Sequence, residues 1–153
     1  MEFTLVKSDL LSIGAAADGE TVLDLGLAIG EVARILGVFL SVEPGCATAA
    51  SGAGTVGLSF DPEDTGATLD AAYWKDDDVF AKVHQYIMQQ ADGGAAHEFG
   101  QFFDFTGMNL ITARNIAYCG KSVTNTLLSH VVLYYEKKKP TPNDMNAIIG
   151  YRR

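Results

Sequence analysis

The chain has 153 residues, 48% of them hydrophobic and 20% charged, a globular mixture that excludes a disordered or low-complexity polypeptide. That length suits one domain, residues 1–153, able to bury about two-thirds of its unfolded surface. Nineteen acidic against eleven basic residues give a formal charge of −8, so the molecule as a whole repels nucleic acid and anionic membranes.

Residues 3 to 13 can form an opening strand, and the small, turn-forming residues of GAAADGE then make a loop. Leu23, Leu25, Leu27 and Ile29 alternate with Asp24, Gly26 and Ala28, a period of two that predicts a half-buried strand. Val32, Leu36 and Leu40 fit a helix, whereas Leu36, Val38, Leu40 and Val42 fit a strand. Gly30 and Gly37 favour the strand, because glycine inside a helix costs up to about 1 kcal/mol. EPGCATAASGAG reads as a long small-residue loop, and TVGLSF as a short strand ending at Asp61-Pro62.

Asp76, Asp77 and Asp78 ahead of VFAKVHQYIMQQADGG give a helix signal, with Val79, Val83, Tyr86 and Ile87 at helical spacing and Gly93 as a stop. Val79, Ala81, Val83, Gln85 and Ile87 make one side of a strand equally well, so residues 79 to 90 stay open between helix and strand. AHEFGQFFDF follows as a strand with Phe99, Phe103 and Phe105 in phase. Met108 to Lys139 then reads as two long strands, MNLITARNIAYC and VTNTLLSHVVLYYEKKK, joined by a turn at GKS. Leu127, Leu128, Val131, Val132, Leu133, Tyr134 and Tyr135 put apolar residues on both faces of the second strand, which predicts cover on both sides. Thr141-Pro142-Asn143-Asp144 caps a short C-terminal helix or turn over MNAIIGY. Seven or eight strands with at most one or two short helices make an all-β, single-domain β-sandwich the economical architecture.

Chemistry-bearing patterns are sparse. Gly52, Gly54 and Gly57 form G-x-G-x-x-G, but they follow a small-residue loop and precede a strand, so a flexible loop is preferred to a dinucleotide site. His84, His97 and His130 are scattered, with Glu98 beside His97 as a further ligand candidate, and no H-x-H pair announces a metal-holding barrel. Ser129 and His130 lack the local frame of a nucleophile elbow. The acidic runs at 61–64 and 75–78 lack the spacing of a calcium loop. Cys46 and Cys119 fit neither a zinc site nor a disulfide scaffold, and their pairing stays open. No catalytic residue, metal or cofactor is therefore expected. The opening residues make a poor signal peptide, and charges and glycines interrupt Val22 to Val42, so a soluble chain without a membrane span is expected.

The run NLITARNIAYCGKSVTNTLLSHVVLYYEKKKPTPNDMNAI, residues 109–148, resembles the final hairpin of small single jelly-roll viral capsid proteins. That resemblance implies an eight-stranded jelly roll that tiles with copies of itself, and with other coat proteins, into a virion shell. Coats of this kind often carry a basic N-terminal arm on the genome, and MEFTLVKSDL departs from that pattern. A basic C-terminal end over 137–153, a separate internal protein or a lipid layer would serve instead. The subunit interface is expected to include Leu128, Val132, Tyr134 and Tyr135, and contact with a partner or genome to fall to Lys137, Lys138, Lys139, Arg152 and Arg153. A carbohydrate-binding or other ligand-binding β-sandwich, stacking sugars on the flat faces of Phe99, Phe102, Phe103, Phe105, Tyr134 and Tyr135, is the second reading, and a cupin-like metal enzyme the third.

Overall fold

A computed structural model describes residues 4–44, 52–67, 78–87, 99–123 and 125–150. The strands are β1 (Leu5–Ile13), β2 (Asp18–Leu23), β3 (Val32–Pro44), β4 (Gly52–Ser59), β5 (Val79–Ile87), β6 (Phe99–Asp104), β7 (Ile111–Thr112), β8 (Ile116–Ser122) and β9 (Leu127–Lys138), followed by helix α1 (Pro142–Gly150). One sheet has the order β1-β9-β3-β6, with the short β7 also on β3; the other has the order β2-β8-β4-β5. Every pairing is antiparallel.

The pairs β1 with β9, β2 with β8, β3 with β6 and β4 with β5 nest one inside the next, as in one long folded hairpin. Rolling that hairpin also joins β9 to β3 and β8 to β4, which closes two four-strand layers: this is the jelly roll. Strands adjacent in the chain therefore often lie in opposite sheets. β8 and β9 do so, which corrects the expected hairpin over Met108 to Lys139: they face each other across the core rather than pairing. The connection also lies later than GKS, since β8 runs to Ser122.

The core is the slab between the layers. Ile35, Val38, Leu40, Val42, Leu127, Val131 and Leu133 from the first sheet meet Leu23, Val56, Leu58, Ile116 and Tyr118 from the second, all buried. Each such aliphatic side chain contributes about 1.5–3 kcal/mol by leaving water. A buried polar chain ties the layers together: the Tyr118 hydroxyl donates to Ser129 Oγ, which donates to the Ser41 carbonyl at 2.6 Å. Burial pushes the Tyr118 phenol well above its ordinary range.

Two sequence expectations change and one open choice is resolved. Burial follows the alternation through Leu23 and Leu25 to the partly buried Leu27, but Ile29 is fully exposed and the strand stops at Leu23. Gly26 and Gly30 take positive φ, at 61° and 80°, turning the chain out of the sheet. Side chains then serve that backbone: Asn115 Oδ1 accepts from Leu25 N at 3.1 Å, Tyr135 donates to Leu25 O at 3.1 Å, and Lys137 Nζ to Gly26 O at 2.6 Å. The G-x-G-x-x-G segment is strand β4 rather than a loop. A Cβ on Gly54 would sit 1.7 Å from Leu127 Cδ1, so glycine there lets the sheets close on each other. Residues 79–87 are strand, paired along β4, with Ala81 and Val83 in the core and Phe80 stacked on Phe60 at 4.2 Å. Residues 88–90 and the acids Asp76 and Asp77 lie outside the described residues.

At the C-terminus, the predicted cap forms. Asp144 Oδ2 accepts from Thr141 N at 2.8 Å, and Thr141 Oγ1 accepts from Asp144 N at 3.3 Å, the reciprocal capping box. Asp144 also takes Lys138 Nζ at 3.0 Å and Asn109 Nδ2 at 3.4 Å, so α1 is fastened to the outer side of the first sheet. Val32 and Ile111 form a small buried pair at that end, separate from the main core. These hydrogen bonds, the Thr141 amide first, hold the Asp144 carboxyl well below the usual carboxylate range.

Candidate functional site

Alternation along β9 divides its apolar residues between two environments. Leu127, Ser129, Val131, Leu133 and Tyr135 face the core, and Leu128, His130, Val132 and Tyr134 face outward. Tyr135 is thus corrected from the expected interface set: it is buried, its hydroxyl is engaged by Leu25 O, and burial raises its pKa. Leu128, Val132 and Tyr134 remain on the open side.

The strand register places their neighbours. One row of the outer face runs Val6, Tyr134, Gly37, Asp104, and the next Ser8, Val132, Phe39, Phe102. A third runs Leu10, His130, Ser41, Gly100, and a fourth Ser12, Leu128, Glu43. Four apolar residues of this face are highly exposed, Val6 59%, Leu10 74%, Phe102 55% and Leu128 52%, while Phe39, Val132 and Tyr134 are partly covered. The face is built to be flat and aromatic near β6. A Cβ on Gly37 would meet the Phe102 ring at 2.7 Å, and one on Gly100 would meet the Phe39 ring at 2.6 Å. Each ring therefore lies over the glycine of the facing strand, a reciprocal cover that fixes register as well as filling space. Phe102 also meets Tyr134 edge-on, with centroids 6.1 Å apart and planes at 68°.

Toward β1 the same face opens into a groove of about 430 Å³ lined by Leu10, Ser12, Ser41, Glu43, Leu128 and His130. Ser8 Oγ lies 2.9 Å from His130 Nε2, which ties the imidazole to β1, and Ser41 Oγ accepts from the His130 backbone N at 3.2 Å. Sequence reasoning named Leu128 here but missed Val6, Leu10, Phe39, Ser41 and Glu43. The signal for β1 was present in LVKSDLLSI, which has apolar residues at both parities.

Two lysines of the basic end are engaged inside the molecule. Lys137 donates to Gly26 O, Lys138 pairs with Asp144, and Lys139 is exposed beyond the strand; Arg152 and Arg153 lie outside the described residues. Nearby, Arg34 bridges Glu136 at 3.3 Å and donates to Thr106 O at 3.0 Å.

The remaining candidates do not converge. His84, 2.7 Å from Thr55 Oγ1, belongs to the second sheet, and His130 to the outer face of the first, so the sandwich separates them. His97 and Glu98 lie outside the described residues, among which no group of three or more His, Cys, Asp or Glu could hold a metal. Ser129 and His130, adjacent on a strand, point to opposite faces and cannot act together. In the acidic loop, Asp61 Oδ1 accepts from Glu63 N at 3.0 Å and Asp64 accepts from Ser59 Oγ, which makes the carboxylates turn-forming groups. Cys119 is buried with its thiol 3.9 Å from Gly57 O, while Cys46 lies outside the described residues. No helix among the described residues is long and apolar enough to cross a membrane.

No protein-family model matches the chain, and no curated protein matches it. Among solved structures, it is similar to tomato aspermy virus, at 9% identity over 92% of this chain and 79% of that one, with a TM-score of 0.44. It is similar to cocksfoot mottle virus at 12% identity over 95% and 100% of the two chains, TM-score 0.43. A decameric BFDV capsid protein matches at 11% identity over 90% and 100%, TM-score 0.39. The jelly-roll assignment rests on the strand order of this chain itself.

Proposed function

We propose that this chain is a coat subunit, a structural rather than catalytic protein that assembles with copies of itself into the shell of a virion. The observation that carries the proposal is the open apolar face of the β1-β9-β3-β6 sheet, with Val6, Leu10, Phe102 and Leu128 half or more exposed on a fold whose core is already complete. These residues lie on one sheet face from edge to edge, with Tyr134, Val132 and Phe39 between them, and make surface that a solitary sandwich does not need.

The size of the face decides what kind of contact it supports. Four strands about 4.8 Å apart and four residue rows about 6.8 Å apart span about 500 Å² per copy. Two such faces bury about 1,000 Å², the lower limit for a specific interface. One contact alone gives a weak pair, whereas a shell in which each subunit meets several neighbours multiplies weak contacts into a stable whole. Leu128, Val132 and Tyr134 are the β9 residues we assign to the contact.

The charge of −8 and the internal engagement of Lys137 and Lys138 favour assembly by protein contacts over gathering around nucleic acid. Electron microscopy of the purified full chain tests the proposal: closed particles or regular assemblies support it. Monomers with stoichiometric glycan binding would favour the carbohydrate-binding reading instead.

A further inference from the structure

The groove on the outer face has an unbalanced chemistry. Glu43 is the one formally charged side chain among its described lining residues, and no hydrogen bond or ion pair of the described residues engages that carboxylate. Leu10 and Leu128, both more than half exposed, flank the same space, and Ser12 and Ser41 add hydroxyls. A carboxylate between exposed leucines selects a cation carried on an apolar stem: methylenes cover the leucines while the charge reaches the acid. Lysine has that form.

Among the described residues few cations remain to meet it; Lys75, Arg152 and Arg153 lie outside them. Lys137, Lys138 and Arg34 are held by Gly26 O, Asp144 and Glu136, Lys82 and Lys121 have partners of their own, and Lys7 is half-buried on the inner side of β1. Among the described residues this leaves Lys139 and Arg114 exposed. Arg114 sits in the connection from β7 to β8, beside Val22, Leu27 and Pro62. Lys139 follows β9 directly, at the opposite end of the strand that floors the groove with Leu128 and His130.

We propose that the groove is a socket for the Lys139 ammonium of a second copy. The inference rests on self-assembly and specifies its geometry. Socket and plug are separated by the length of β9, about 35–40 Å, so one copy cannot satisfy itself. The contact sets the C-terminal end of one copy's β9 at the N-terminal end of its neighbour's, either reciprocally in a two-fold pair or head to tail in a chain whose two terminal copies keep a free socket and a free plug until a ring or shell closes.

The test is charge reversal in the full chain, read by sedimentation velocity and electron microscopy, with thermal melts to confirm folding. Glu43→Lys and Lys139→Glu should each raise the concentration needed for assembly on the order of tenfold, and the double variant should restore it. Glu43→Gln, nearly isosteric, should show the same loss if Glu43→Lys fails to fold. Wild-type protein that stays monomeric removes self-assembly itself. Wild type that assembles while both single reversals assemble equally well overturns the socket alone. A double variant that stays impaired, or rescue of Glu43→Lys by Arg114→Glu in place of Lys139→Glu, also overturns it.

Discussion

Removing the Ser129 hydroxyl should cost more stability than removing the Tyr118 hydroxyl, although the two share a hydrogen bond. Ser129 Oγ is the middle of the chain from Tyr118 to the Ser41 carbonyl, with Tyr118 fully buried and Ser129 nearly so. In Ser129→Ala the phenol loses its acceptor in a place water does not reach, a penalty of about 1–3 kcal/mol, and the Ser41 carbonyl loses a donor as well. In Tyr118→Phe the donor disappears, Ser129 still bonds Ser41, and the cost is about 0.5–1.5 kcal/mol. Adding Tyr118→Phe to Ser129→Ala removes the stranded hydroxyl, so the double variant should fall short of the sum of the singles. Urea denaturation followed by circular dichroism, on dilute protein, measures all three. The pH dependence gives a second readout. The Tyr118 pKa is raised in the folded state, so its contribution is fully present below the unfolded value near 10 and is lost as pH rises above it. Tyr118→Phe should flatten that alkaline loss, leaving the smaller part due to Tyr135. Ser129→Ala costing no more than Tyr118→Phe, or strict additivity, would refute the reasoning.

Gly54→Ala should destabilise the fold by about 1–3 kcal/mol, because the new Cβ overlaps Leu127 across the core; an unchanged melting temperature would show that the sheets can part freely. Asp144→Ala should fray α1 and cost about 0.5–2 kcal/mol, measurable as lost helical ellipticity and a lower melting temperature. The Asp144 pKa is lowered in the folded state, so its contribution is present above the unfolded value near 4 and is lost as pH falls below it; that acid-side slope should be weaker in the variant. Leu10→Ser with Leu128→Ser should leave the melting temperature of dilute subunits within a few degrees, since both side chains are more than half exposed, while assembly is lost.

Local pattern carried the fold class, because a strand buried on one face writes a period of two into its residues. It was visible in Leu36 to Val42, and the Thr141 to Asp144 cap was visible in its own four residues. What local pattern does not encode is which sheet a strand joins. The residues of β8 and β9 are adjacent in the chain, and a hairpin and a crossover between layers make the same alternation, so the error over Met108 to Lys139 was one of partner rather than of element. Loop or strand at Gly52 to Gly57 turned on Leu127, which lies far along the chain and supplies the reason for glycine. The helix signal at 79 was outweighed by Phe60 and the β4 ladder, both tertiary partners. For the site, the two-faced composition of β9 was legible, whereas the groove was not: its walls come from three strands brought side by side only by the roll.

Sedimentation velocity of the full chain across a wide concentration range, run beside the Leu10→Ser, Leu128→Ser variant, tests most directly whether copies cover the outer face of the first sheet. The expected result is growth of wild type into large, discrete species as concentration rises, with the variant remaining a folded monomer. Wild-type protein that sediments as a single monomer at the highest concentration, indistinguishable from the variant, would contradict it.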